Sequence, residues 1–165
     1  FKVNDFFKIP EPLIQKEFSR IMSLRDGLKK MSKSELSDLS RINLTDEKDL
    51  IINKIKKAKT DPLPIPMTIE ELNKRPEAKN LIGIYSSLSK LNLEKIINQF
   101  SGKNFSEFKE NLSEVLVDKI SPISYEIKKL LKEKSYLDDI LLEGCKKADN
   151  IASEKIKKIH EIVGF

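Results

Sequence analysis

Helical periodicity dominates the second half of the sequence and is largely missing from the first. Over residues 77–91, Leu81, Ile84, Tyr85 and Leu88 recur at three- and four-residue intervals, which places them on one stripe of a helix. Residues 93–100 predict a shorter helix closed by Gly102. Residues 106–134 repeat Phe108, Leu112, Val115, Leu116, Ile120, Ile123, Ile127, Leu130 and Leu131. Pro122 falls inside that run and predicts a kink or a break, since it has no N–H and its ring crowds the preceding turn. A final helix over residues 135–163 carries Leu137, Ile140, Leu141, Ala148, Ile151, Ala152, Ile156 and Ile159, with Gly164 in the C-cap position. Together these segments predict a small helix bundle, and no fixed repeat marks a solenoid.

Upstream the signals are short. Phe6-Phe7-Lys8-Ile9, ended by Pro10, and Arg20-Ile21-Met22-Ser23-Leu24 are candidates for extended structure. Asp26-Gly27 reads as a turn, and the lysine-rich residues 28–38 as an exposed loop. Thr45-Asp46-Glu47 opens a helix to about residue 59, with Leu50, Ile51, Ile55 and Ala58 at helical spacing. Pro62, Pro64 and Pro66 then predict an extended surface connector over residues 61–66.

Composition narrows the possibilities. The 165 residues carry 31 Lys and Arg against 26 Asp and Glu, a net charge of +5 that is too mild to imply RNA by itself. With 39% hydrophobic residues the chain is a soluble globular protein able to bury roughly 70% of its unfolded surface. No apolar run approaches the ~20 residues that a bilayer requires, so no membrane partner is expected. The single cysteine, Cys145, cannot form an internal disulfide, and no Cys/His tract has zinc-like spacing. The single histidine, His160, stands in the last turn of the terminal helix, where it suits the helix dipole and excludes an internal histidine-based triad. The chain starts at Phe1 with neither a charged nor an apolar leader pattern, so it reads as a fragment without a signal peptide. Chemistry is thereby left to lysines, carboxylates, hydroxyls and backbone groups.

The segment that carries such chemistry is Lys30-Met31-Ser32-Lys33-Ser34. Two ammonium groups on flexible stems, spaced by small residues, can wrap a polyphosphate while hydroxyls and free N–H groups donate hydrogen bonds. Charged lysines are poor bases, so their contribution is electrostatic stabilisation of a phosphate. A plainer reading competes: Ser32 and Glu35 fit a capping box at a helix start, and both readings hold together if that start faces an anion. A kinase-like P-loop is excluded because its glycine-rich loop is absent. Lys54, Lys56, Lys57 and Lys59 are candidates for an RNA backbone or for a solvated helix end. Phe100, Phe105, Phe108, Tyr85 and Tyr125 read as packed residues, Asp138-Asp139 as an acidic first turn, and Cys145 as a small packing residue.

The lysine segment resembles the signature loop of the class I aminoacyl-tRNA synthetases. Its flanks, among them Arg41-Ile42-Asn43-Leu44, Ile55-Lys56-Lys57-Ala58-Lys59-Thr60-Asp61 and Asn80-Leu81-Ile82-Gly83-Ile84-Tyr85, are similar to the bacterial tryptophanyl enzymes nearly end to end. The resemblance implies a mostly α chain: the C-terminal end of a Rossmann-like α/β catalytic domain, residues 1–43, followed by an α-helical anticodon-binding bundle, residues 44–165. It implies that Lys30, Met31, Ser32, Lys33 and Ser34 contact ATP, with Lys33 on the phosphates that become pyrophosphate and Ile21 beside the adenine. It further implies magnesium with ATP, L-tryptophan and tRNA(Trp) as substrates, a homodimer and a cytoplasmic location. The histidine-containing signature and the tryptophan-reading residues of such enzymes are absent, so these 165 residues are expected to be a C-terminal half that does not activate tryptophan alone. The rival expectation is a non-catalytic helical module that binds RNA or protein.

Overall fold

The computed structural model describes residues 6–14 and 19–164. They form β1 (Met22–Ser23), β2 (Asp26–Lys30), a 3-10 turn at Asp38–Ser40, and helices α1 (Lys48–Lys56), α2 (Ile69–Asn73), α3 (Pro76–Ser89), α4 (Leu93–Phe100), α5 (Phe105–Leu130) and α6 (Lys134–Val163). The fold is therefore mostly helical, as the periodicity predicts. By packing, the chain divides into two units, residues 14–126 and residues 1–13 with 127–165.

The larger unit has one core. Leu24 from the β1–β2 turn, Ile51, Ile55 and Ala58 from α1 and its end, Ile65 from the connector, Leu81 and Ile82 from α3, Ile96 and Phe100 from α4, and Phe108 and Leu112 from α5 are all buried. Its centre is aromatic. Phe100 and Phe108 meet edge to face at 5.1 Å, and Tyr85 lies 5.6 Å from each ring, separations at which ring quadrupoles attract. The aromatic residues read as core are core, except Tyr125, which is 67% exposed.

β1 and β2 pair antiparallel through a turn at Leu24 and Arg25, so the turn lies two residues before Asp26-Gly27, and residues 28–30 belong to a strand rather than a loop. Gly27 has another use: a Cβ there would stand 2.6 Å from the Pro76 carbonyl carbon and the Glu77 nitrogen, so only glycine lets β2 lie against the start of α3. Asn80 secures the other strand, accepting from Met22 N–H at 2.9 Å and donating to Met22 C=O at 2.8 Å, as a neighbouring strand would. Residues 8–14 carry no strand.

Other departures are local. Thr45 and Asp46 do not cap α1, which starts after Glu47, because the Asp46 carboxylate is drawn to Asn43 and Lys54. The connector is pinned by Ile65, whose N–H donates to Lys103 C=O and whose C=O accepts from Gly102 N–H, closing the α4–α5 loop with Gly102 at φ +73°. α2 was unforeseen, although Thr68 and Glu71 spell a capping box: Thr68 accepts from Glu71 N–H, and Glu71 from Met67 N–H. α5 passes Pro122 without a break; Pro122 is exposed, so water can satisfy the carbonyl that loses its N–H partner.

In the second unit, α6 ends as expected, with Gly164 left-handed and donating to His160 C=O. Yet α6 has no buried residue: Leu141 is 70% and Ile151 75% exposed, so its apolar stripe adds nothing to a bundle core. Cys145 is likewise exposed, and Asp138-Asp139 lie beyond the first turn. No described helix is long and apolar enough to cross a membrane.

Candidate phosphate-binding loop

β2 ends at Lys30, and the chain leaves the sheet with one more bond, Met31 N–H to Ile21 C=O at 3.0 Å. Ile21 and Met31 are thus neighbours, both half-buried against the core. Lys30 and Lys33 are exposed, and neither has an ion-pair partner among the described residues. No helix starts at Ser32. Its hydroxyl instead accepts from Ser34 N–H at 3.3 Å and lies 2.9 Å from Ser34 Oγ, a local hydroxyl turn that replaces the capping box. The loop therefore brings Ile21, Lys30 and Met31 together at its entry and leaves the Lys33 stem unrestrained beyond it.

Its exit is held tightly. Arg41 donates to Glu35 C=O at 2.8 Å and pairs with Asp38 at 2.9 Å. Asn43 donates to Asp38 at 3.0 Å and to Asp46 at 3.2 Å. Lys54 reaches both carboxylates at 2.6 Å. The hydrogen bond from Lys54, then that from Asn43, hold the Asp38 carboxyl below the ordinary value. The backbone is tied as well, Leu24 N–H to Ser40 C=O and Lys59 N–H to Leu24 C=O.

The four lysines proposed from the sequence to face RNA separate. Lys54 is fully buried in the carboxylate cluster and has no surface to offer. Lys59 is 58% exposed and pairs with Glu77 at 2.9 Å. Lys56 and Lys57 are exposed, while the carbonyls at this end of α1 accept from Arg25 and Lys109. Burial, with Arg25 nearby, lowers the Lys109 ammonium. Lys48 and Lys56 line the α1 wall of an open groove between α1 and α5, and Lys109, Glu110, Glu114 and Asp118 line the α5 wall.

Two acid-sensitive struts hold this unit together. The hydrogen bond from Lys59 keeps the Glu77 carboxyl below 4.5. Burial pushes Asp61 up, but the Arg75 guanidinium and the Leu63 N–H outweigh it and leave the carboxyl below 3.8. A carboxylate lowered in the folded state stabilises the fold above its unfolded pKa and ceases to as pH falls through the folded one. Stability should therefore decline as pH drops below about 4.5. In acid titrations followed by circular dichroism, Glu77→Gln should be less stable at neutral pH and lose less on acidification.

The tRNA synthetases class I (W and Y) family matches residues 1–120. The tryptophan–tRNA ligase of Rickettsia felis is 50% identical over 162 residues, covering 98% of this chain and 48% of the relative. That of Mesorhizobium japonicum is 46% identical over 163 residues, covering 99% and 46%. Among solved structures, tryptophanyl-tRNA synthetase from Mycoplasma pneumoniae aligns with TM-score 0.74 and 27% identity over 92% of this chain and 45% of that one. The chain thus spans about half the length of the curated relatives it matches.

Proposed function

Because the chain belongs to the tRNA synthetases class I (W and Y), we propose that it is the C-terminal half of a tryptophan–tRNA ligase, contributing the phosphate-handling loop and the helical tRNA-binding part. In this reading residues 1–43 complete a Rossmann-like nucleotide-binding domain and residues 44–165 engage the anticodon region, a division of function rather than of packing. The carrying observation is a pair of exposed lysines without ion-pair partners among the described residues, on a loop whose two ends are fixed.

The reaction needs cations at that place. The tryptophan carboxylate oxygen attacks the α-phosphorus of ATP, the bond to the β-phosphate breaks, and pyrophosphate departs with the accumulating negative charge. Lys33, with Lys30 behind it, neutralises that charge as it develops, and the small side chains of Ser32 and Ser34 let the backbone approach the phosphates. Ile21 and Met31 offer the apolar surface beside the adenine. Magnesium would enter with ATP as the ion of the substrate. The activated tryptophanyl group then passes to the 3′-terminal adenosine of tRNA(Trp). The working form is a cytoplasmic homodimer.

The test is ATP–pyrophosphate exchange. The full-length protein is expected to exchange with tryptophan and not with tyrosine, and the 165-residue chain alone is expected to show none. Tyrosine-dependent exchange, or exchange by the chain alone, would overturn the reading. Lys56 and Lys57 remain the RNA-facing candidates. Replacing both with alanine in the full-length protein should weaken tRNA binding and reduce its salt slope by about 1.5 to 2, measured by filter binding from 50 to 200 mM salt.

A further inference from the structure

Lys54 presents a problem that packing alone does not explain. It stands on α1 amid Ile51 and Ile55, is 0% exposed, and is among the largest fully buried side chains of the described residues. An ammonium is costly to bury unless paired and hydrogen-bonded, and a buried ion pair is often no better for stability than apolar residues of the same volume. What its charge gives here is direction. One of its carboxylates, Asp46, is buried beside it; the other, Asp38, is half exposed and lies at the exit of the lysine loop. From Asp38 the connection continues through Arg41, which grips both the Asp38 carboxylate and the Glu35 carbonyl, the residue directly after Ser34. Asn43 closes the cluster by donating to both acids. No buried side-chain nitrogen or oxygen in the described residues lacks a partner.

We infer that Lys54, acting through Asp38 and Arg41, is a positioning residue for the phosphate-binding loop. It fixes the loop's downstream hinge, as β2 and the bond from Met31 to Ile21 fix its upstream end, so that the short stretch from Ser32 to Ser34 is left to adapt to ATP. Lys54 touches no substrate. Its contribution is to limit the set of positions that Lys33 samples, and misplacement of a catalytic group by about 1 Å can cost up to a hundredfold in rate. The inference rests on the function proposed above, with Lys33 on the phosphates.

Replacing Lys54 itself risks unfolding, because it would leave Asp46 buried and unpaired. The discriminating variant is therefore Asp38→Asn in the full-length protein. It removes the exposed end of the chain of ion pairs and leaves Lys54 on Asp46. Two readouts apply: ATP–pyrophosphate exchange kinetics, and the rate of trypsin cleavage after Lys30 and Lys33 without nucleotide. Asp38→Asn is expected to impair the KM for ATP or kcat about tenfold, leave the KM for tryptophan within about twofold, and speed loop cleavage several-fold. Asp38→Glu should restore most of both. Asp38→Asn with ATP kinetics and cleavage at wild-type values overturns the inference, and so does an equal loss for ATP and tryptophan accompanied by a large fall in Tm. Lys33→Ala is the control for the underlying reading. If it leaves exchange intact, the assignment of the loop fails; if it abolishes exchange while Asp38→Asn changes nothing, only the positioning role fails.

Discussion

Replacing Lys33 by alanine in the full-length protein is expected to slow tryptophanyl-adenylate formation about 100- to 1000-fold, with tryptophan affinity within about twofold of wild type. The asymmetry follows from where the charge develops. In the proposed ground state ATP would carry its magnesium ion, so one ammonium would add little to binding. As the bond between the α- and β-phosphates lengthens, negative charge collects on the departing pyrophosphate, and a preplaced cation meets it at no reorganisation cost. Lys33 suits that role because it is exposed, has no ion-pair partner among the described residues, and follows a loop entry fixed by the bond from Met31 to Ile21. Single-turnover adenylate formation, with tryptophan binding measured separately, checks both halves. A loss shared equally between chemistry and tryptophan binding would point to a structural effect.

The second large effect concerns stability. Phe108→Ala should cost about 3–5 kcal/mol, because the ring is fully buried and lies against Tyr85, Phe100 and Phe105 at centroid distances of 5.6, 5.1 and 6.5 Å. Three helices, α3, α4 and α5, meet at that ring, so relaxation around the cavity is resisted from every side. Tyr125→Ala, an aromatic deletion on the same helix, should change stability by no more than about 0.5 kcal/mol, since Tyr125 is mostly exposed. Urea unfolding followed by far-ultraviolet circular dichroism compares the two. Equal costs would mean that the aromatic cluster is not the centre of the core.

The helices were legible because their signals are local. Stripes such as Leu81, Ile84 and Tyr85 in α3 need only a 3.6-residue period, and Gly164 ends α6 through a left-handed geometry that glycine favours. The lysine segment stood out for another reason: its residues are contiguous, and its proposed role comes from resemblance. The misses are cases where distant groups decide. Lys54 sits in a row of lysines and reads as surface, yet Asp38 and Asp46, 16 and 8 residues away, draw it inside. Asn80 is one polar residue on an apolar helix, and nothing in its neighbours announces that it pairs with β1 from 58 residues away. Gly27 looks like a turn glycine, whereas its constraint comes from Pro76 and Glu77. For α6 the period was read correctly but not what covers it: its apolar side chains remain exposed in this chain.

Lys33 is proposed to lie against the phosphates of ATP at the moment of adenylate formation. A crystal structure of the full-length enzyme with tryptophanamide, ATP and magnesium measures this directly. Lys33 Nζ is expected about 3 Å from an oxygen of the β- or γ-phosphate. A closed site with Lys33 directed into solvent, and with the triphosphate held by other residues, would contradict the account.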